Sequence, residues 1–391
     1  MANYRYLIIG GGMAADAAAK GIREVDRDGT IGIVSADSDP PYARPPLTKG
    51  LWKGDPLESV WRHTEDQGVK LHLRRTILGI DRGRRTATDG KAEFGYEKLL
   101  LATGGSPRRF PFAVNELIYY RTLSDYQRLR EAAVGGNQFL VVGSGFIGSE
   151  IAAALAMNGK KVTMVYPDAV IGGRAWPPDL AKFVTDYYTK KGVELFPAER
   201  VTGAGRVGNR ITVYTGGGGR FEVDGAVAGL GIEPGTSLAR AAGLSVDDGI
   251  LVDSSLRTSD PDIFAAGDVA AFENAALGKR MRVEHEDNAL TQGRMAGLSM
   301  AGENVRYDHL PFFYSDLFNL GYEAVGEIDA RHEMAADWTE PYRKGVVYYL
   351  ADGRVRGVLL WGIFGKVDEA RALISDAGPF TAEKLKGRIE A

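Results

Sequence analysis

The chain has 391 residues, of which 44% are hydrophobic and 25% charged, with a net charge of −3 and no cysteine. That length needs more than one core, and the near-neutral balance excludes an electrostatic drive toward nucleic acid. Without cysteine there is no disulfide, no Fe–S ligation and no redox Cys pair. No apolar run reaches the roughly 18 residues of a membrane span.

The first element is a short apolar strand, Tyr6-Leu7-Ile8-Ile9, which runs into Gly10-Gly11-Gly12-Met13-Ala14-Ala15 and an alanine-rich helix. This is a G-x-G-x-x-G/A phosphate loop in its proper setting. The first Gly makes the turn, the second lets the backbone approach a pyrophosphate, and the third small residue packs helix on strand. The helix N-terminus adds free N–H groups and a positive dipole end. Because the strand starts almost at Met1, no room is left for a signal peptide, and a cytoplasmic location is expected. Residues 31–34 form the second strand of this βαβ unit, which ends near Asp37. A proline-rich run, 39–49, is expected as a stiff, extended loop outside any helix or central strand. Residues 96–102 read as a buried strand ending at Thr103-Gly104-Gly105, and 124–133 as a helix.

The same device then recurs. Phe139-Leu140-Val141-Val142 runs into Gly143-Ser144-Gly145-Phe146-Ile147-Gly148 and a second alanine-rich helix. Two such loops, each opening a βαβ unit, imply two dinucleotides, most economically FAD and a nicotinamide that exchange a hydride. Glu150 lies in an otherwise apolar helix, where a charge needs a partner or a ligand. Asp168 follows the next strand, about 25 residues after Gly143, near the place where an acid holds the ribose hydroxyls of NAD. An acid there repels a 2′-phosphate and favours NADH, whereas nearby Arg174 keeps NADPH open. Two strands, 211–214 and 220–223, flank a four-glycine run that reads as a flexible turn, since no helix follows it. The segments 226–230, 250–252 and 263–268 and a helix from about 287 to 300 come next. Asp268, directly after Gly267, is either an acceptor for a ligand hydroxyl or a helix N-cap. From 309 onward strands are expected at 324–328, 345–350 and 354–363, the last two joined by an Asp352-Gly353 hairpin turn. A helix near 367–375 would cover one face. No His pair has metal-ligand spacing, so no metal is expected.

The segments Pro41-Tyr42-Ala43-Arg44-Pro45-Pro46-Leu47-Thr48-Lys49, Ala102-Thr103-Gly104-Gly105 and Phe264-Ala265-Ala266-Gly267-Asp268 together resemble the flavoprotein pyridine-nucleotide oxidoreductases. Within them the chain looks like the ferredoxin-reductase and apoptosis-inducing-factor branch. Val283-Glu284-His285-Glu286-Asp287, Tyr314-Ser315-Asp316-Leu317 and Gly357-Val358-Leu359-Leu360-Trp361 point toward the apoptosis-factor side. The resemblance spans nearly the whole chain. It implies an α/β fold with two Rossmann-like dinucleotide-binding domains, glutathione-reductase-like, plus a small α+β C-terminal domain. Residues 1–112 and 235–308 would bind FAD, 113–234 NAD, and 309–391 would form the third domain.

By that resemblance Gly10, Gly12 and Ala15 take the FAD pyrophosphate. Arg44, Lys49 and the turn Ala102, Thr103, Gly104 lie toward the flavin, and Asp268 holds the ribityl or pyrophosphate region. Ala36 stands where the family usually has an acid for the adenosine ribose, so either Asp37 substitutes or backbone and water hold it. Glu284 and His285 precede a helix aimed at the flavin N1/O2 edge, and Tyr314 replaces a common Trp over the flavin. Lys49 and Glu150 look like the family's ion pair beside flavin N5, a plain salt bridge being the alternative. Lys49, Glu150 and His285 are the catalytic candidates. NAD would take Gly143, Gly145, Phe146, Ile147, Glu150, Asp168 and Arg174, with Gly231 under the nicotinamide.

The expected function is an FAD-dependent NADH:acceptor oxidoreductase, in which hydride passes from NADH to flavin N5. With no redox disulfide, electrons then go directly to an external acceptor: a small Fe–S protein, a quinone or oxygen. A ferredoxin or rubredoxin reductase of an oxygenase system is one alternative, and a redox-sensing binding protein with slow turnover another. The resemblance also suggests a homodimer. Residues 329–342 leave no room for the long insertion of the animal apoptosis factor. The basic cluster Arg74, Arg75, Arg82, Arg84 and Arg85 reads as a solvated charged face, with docking of an acidic ferredoxin as the other possibility.

Overall fold

A computed structural model of the protein describes residues 1–112 and 115–390. The chain forms two compact units. One comprises Met1–Ala43, Leu57–Ser106 and Glu233–Pro311; the other comprises Arg44–Pro56, Pro107–Ile232 and Phe312–Ala391. The C-terminal stretch thus groups with the second βαβ unit, as does the end of the proline-rich segment. The expected start of a second domain at Ala113 and end of a third at Ala391 lie outside the described residues.

In the first unit the strand Ala2–Ile9 pairs in parallel with Ile31–Val34 on one side and Glu93–Leu101 on the other. Ile263–Ala265 extends the sheet, again in parallel, beside Glu93–Leu101. Leu7, Ile8, Leu99, Leu100 and Ala265 are buried without residual exposure, so the run of apolar residues reads as strands covered on both faces. The helix Met13–Val25 lies directly after the glycine loop and packs on the helix Glu286–Met300.

In the second unit a parallel sheet runs in the order Val193–Phe196, Lys161–Val165, Gln138–Val142, Gly225–Ala228 and Ile118–Tyr119. The expected hairpin is present as Arg210–Thr215 against Arg220–Val223, joined by the glycine run and flanked by a third strand, Val201–Val207. The C-terminal region forms a five-stranded antiparallel sheet in the order Phe312–Leu317, Leu320–Gly326, Arg354–Trp361, Lys344–Ala351 and Glu333–Glu340. Its tight hairpin turns at Asp352 (φ 52°) and Gly353 (φ 71°), the left-handed pair that Asp-Gly supplies. The helix Val367–Ser375 covers this sheet through Ala370, Leu373 and Ile374.

One local expectation changes. The proline-rich run is not extended throughout: Pro45–Leu47 is a 3-10 turn, with the Thr48 and Lys49 N–H groups donating to the Pro45 and Pro46 carbonyls. A proline at the start of a helical turn loses no bond, because its N–H has no partner there, and its φ is already suitable. The strands Phe312–Leu317 and Glu333–Glu340 lie outside those expected from sequence. Among the described residues, no helix is long and apolar enough to cross a membrane.

Candidate nucleotide and redox site

Both phosphate loops have a geometry that demands glycine and leaves room for a ligand. Gly10 has φ 113°, and a Cβ there would sit 2.1 Å from the Ala102 carbonyl oxygen. Gly143 has φ 101°, and its Cβ would lie 2.5 Å from the Gly229 oxygen. The second glycines differ: a Cβ on Gly12 or Gly145 would meet nothing within 4 Å. These faces are open.

The helices that follow point the same way. The helix Leu123–Gly135 is closed by a capping box between Thr122 and Asp125. By contrast Met13–Val25 and Phe146–Met157 begin at Gly12 and Gly145 with no side-chain cap. A helix start without a side-chain cap is suited to an anion, although the Ala15 N–H here donates to the Gly12 carbonyl at 3.1 Å. In the first unit a further donor is orphaned: Gln292 is fully buried, its Oε1 accepts from Gly267 N–H at 2.9 Å, and its Nε2 has no partner among the described residues. The donor set fits the diphosphates of two dinucleotides.

Around the first loop, Ala15 is fully buried and Asp268 is half-buried beside the left-handed Gly267 (φ 81°). Thr103 Oγ1 donates to the Gly235 carbonyl at 2.8 Å, and Gly104 accepts from Gly235 N–H at 2.8 Å, so the turn Ala102–Gly104 is held by backbone. Ala36 is exposed. Asp37 is half-buried, accepts from Ser38 N–H at 2.9 Å and lies 3.4 Å from the Tyr42 hydroxyl. Glu284 pairs with Arg282 at 2.7 Å. His285 is the N-cap residue of Glu286–Met300. Burial of its ring pushes the pKa down to about 4, against the opposing pull of Asp268 and Asp287, so the imidazole is neutral at pH 7.

The second unit holds a cavity of about 390 Å³ lined by Gly143, Gly145, Phe146, Asp168, Trp176 and Gly231, with Ser315 and Tyr322 at its C-terminal side. Phe146 is exposed at 45% and packs edge-on against Phe313 at 5.1 Å, and Ile147 is exposed at 37%. Gly231 takes φ 81° with open space on its Cβ side. Asp168 and Arg174, read from sequence as rival readers of the ribose, form an ion pair at 2.7 Å.

Deeper in the same unit lies the charge predicted to need a partner. Glu150 is 4% exposed. Its Oε2 accepts from Lys49 Nζ at 2.7 Å and from Thr48 Oγ1 at 2.5 Å, and its Oε1 accepts from Ser315 Oγ at 2.6 Å. The carboxylate is therefore satisfied on both oxygens, as burial of a charge requires. Lys49 Nζ also lies 5.1 Å from the centre of the Tyr314 ring. Burial, with the Glu150 charge adding, holds the Tyr188 and Tyr322 hydroxyls well above their usual pKa, so both stay neutral. Arg44 donates to the Arg121 carbonyl at 2.8 Å. Thr48 and Ser315 were not singled out from sequence. Alternation offers a signal for Ser315, which sits opposite Tyr322 in the sheet and faces inward with it.

Of the basic cluster, Arg75, Arg82, Arg84 and Arg85 pair with Asp89, Asp260, Glu93 and Asp262. Among the described residues no group of acids and histidines could hold a metal ion.

Comparison with known proteins agrees with this geometry. The family model for pyridine nucleotide-disulphide oxidoreductases matches residues 4–293, and that for the C-terminal region of mitochondrion-associated apoptosis-inducing factor matches 329–376. The chain is 34% identical to mitochondrial apoptosis-inducing factor 1 of Dictyostelium discoideum over 417 residues, covering 95% of this chain and 78% of the relative. It is 31% identical to putidaredoxin reductase of Pseudomonas putida over 394 residues, covering 97% and 93%. The crystal structure of a covalent putidaredoxin reductase–putidaredoxin complex matches with a TM-score of 0.90 and 30% identity, over 98% of this chain and 95% of that one. The chain belongs to the pyridine nucleotide-disulphide oxidoreductase family, in its apoptosis-inducing-factor and ferredoxin-reductase branch, and is an FAD-dependent NAD(P)H oxidoreductase.

Proposed function

We propose that the protein oxidises NADH and delivers the electrons directly to a small Fe–S protein outside the chain. The observation that carries the NADH reading is the Asp168 carboxylate at the rim of the cavity that the second glycine loop opens. FAD, when bound, supplies the centre that accepts a hydride and releases electrons singly. Gly143, Gly145 and the uncapped helix behind them hold the nucleotide phosphates, while Asp168 accepts from the ribose hydroxyls. Phe146, Ile147 and Gly231 flank the nicotinamide end. Lys49 and Glu150 are assigned the flavin-edge role that the family resemblance gives them, and His285 and Tyr314 a place beside the ring. Gly10, Gly12, Ala15, Asp268 and the Ala102–Gly104 turn are assigned to FAD.

Two observations support an external acceptor. The chain has no cysteine for an internal disulfide relay. The solved relative is held in a covalent complex with putidaredoxin, which supports a redox-protein partner here. Stopped-flow mixing with NADH, then reoxidation by a small Fe–S protein, quinone, ferricyanide or oxygen, tests the reading. Rapid reoxidation by the Fe–S protein alone is the expected result. Fast reduction with slow reoxidation by every acceptor would instead favour a redox-sensing binding role.

A further inference from the structure

We infer that Tyr349 is a positioning residue for nucleotide choice: its hydroxyl holds the loop of residues 167–176 in the conformation that locks Arg174 onto Asp168. The inference rests on the reading of Asp168 as the ribose acid. Pro167, Asp168 and the stretch from Gly172 to Trp176 all line the nucleotide cavity. Inside the loop the ties are those of a single turn, with the Ala175 and Trp176 N–H groups both donating to the Gly172 carbonyl at 2.9 Å.

Its first half is tied within the nucleotide-binding region, where the Ala198 N–H donates to the Asp168 carbonyl and the Ile171 N–H to Thr185 Oγ1, both at 3.0 Å; the anchors of its second half come from the C-terminal region. Tyr349 is fully buried, and its hydroxyl donates to the Ala175 carbonyl at 2.7 Å. The Ala330 N–H donates to the Arg174 carbonyl at 2.9 Å. The Trp176 ring packs edge-on against Tyr322 and Trp361, at 5.7 and 5.4 Å. Two consecutive carbonyls, at Arg174 and Ala175, are thus pinned from outside the nucleotide-binding sheet.

The side chain they carry has no such support. Arg174 is 79% exposed, and its Nε and Nη2 reach Asp168 Oδ1 at 2.9 and 2.7 Å. An ion pair this exposed does little to fix its own geometry, so the backbone decides where the guanidinium sits. In the pinned position its fork is spent on Oδ1, and Oδ2 is left to the ribose hydroxyls. Once the loop is released, the same fork can turn to a 2′-phosphate, which it matches in shape and charge. The C-terminal sheet thereby keeps NADPH out.

The test uses the full-length, FAD-loaded protein and the second-order rates of flavin reduction by NADH and by NADPH in stopped flow. In Tyr349→Phe the NADH:NADPH ratio should fall about fivefold, the size of one lost hydrogen bond, while FAD content and the limiting rate with NADH stay unchanged. In an Arg174→Ala background the same change should leave the ratio alone. Asp329→Ala, which removes the carboxylate accepting from Arg331 N–H at 2.9 Å and loosens the turn presenting Ala330, should move the ratio the same way. It carries the test if Tyr349→Phe does not fold. A folded Tyr349→Phe with a wild-type ratio, or a shift that persists without Arg174, overturns the inference. An Asp168→Ala variant with a wild-type ratio would instead overturn the ribose reading beneath it.

Discussion

Lys49 Nζ lies 2.7 Å from Glu150 Oε2, with the two side chains 13% and 4% exposed. Thr48 and Ser315 complete a clamp on the same carboxylate. Removing Lys49 therefore leaves Glu150 with two hydroxyl donors but no compensating charge. Lys49→Met should destabilise the protein by about 3 kcal/mol and slow reduction of the bound flavin by NADH. Adding Glu150→Gln should cost less than the sum of the two single changes, since each alone strands a buried charge. A double-mutant cycle on reduction rate and thermal midpoint decides this. Strict additivity would mean that the pair does not act as a unit.

Asp168 should set the nucleotide preference. Its replacement by Ala removes an acceptor for the ribose hydroxyls and the repulsion of a 2′-phosphate, and frees Arg174. NADH should then bind more weakly by about 1–3 kcal/mol, and NADPH more tightly. Titration of flavin reduction with both nucleotides measures the change. A wild-type protein that prefers NADPH would hand the reading role to Arg174.

The sequence was most legible where a backbone requirement leaves a residue signature. The loops at Gly10 and Gly143 show because left-handed φ and close backbone approach exclude other residues. The Asp352-Gly353 turn shows for the same reason. Apart from Lys49 and Glu150, expected together from the family resemblance and found 2.7 Å apart, what pairs across the chain did not show. Thr48 and Ser315 meet Glu150 over separations of 102 and 165 residues, and although alternation turns Ser315 inward, no local signal names a buried carboxylate as the partner of either hydroxyl. Asp168 and Arg174 looked like competitors in the linear sequence, yet the turn of residues 167–176 makes them partners. The proline-rich segment misled because proline excludes helix interiors but not first turns.

His285 should make stability depend on pH. Burial lowers its pKa from 6.5 to about 4 in the folded protein. As pH falls below 6.5 the unfolded chain takes up a proton that the folded ring refuses until about pH 4. Its contribution is therefore complete above pH 6.5 and is lost through that window, at up to about 1.4 kcal/mol per pH unit. Denaturation midpoints at pH 7.5 and pH 5 should differ more for wild type than for His285→Gln. Equal pH dependence in the two would show that the ring titrates normally.

Gly10 and Gly12 belong to one loop, but their replacement should do different things. Gly10→Ala forces a side chain into a left-handed φ of 113° and places its methyl 2.1 Å from the Ala102 oxygen, so the ends of two paired interior strands must move apart. That variant should lose thermal stability with or without FAD. Gly12 has φ −95° and ψ −168°, which any residue adopts, and its added methyl would meet nothing within 4 Å. Gly12→Ala should therefore fold normally. Its methyl would occupy the space through which the backbone and the uncapped helix Met13–Val25 approach a pyrophosphate. The purified variant should be pale, with FAD released by heat far below one equivalent, whereas wild type should be yellow and release its FAD intact. Full, tight FAD retention by Gly12→Ala would place the diphosphate elsewhere and remove the first glycine loop from the FAD site.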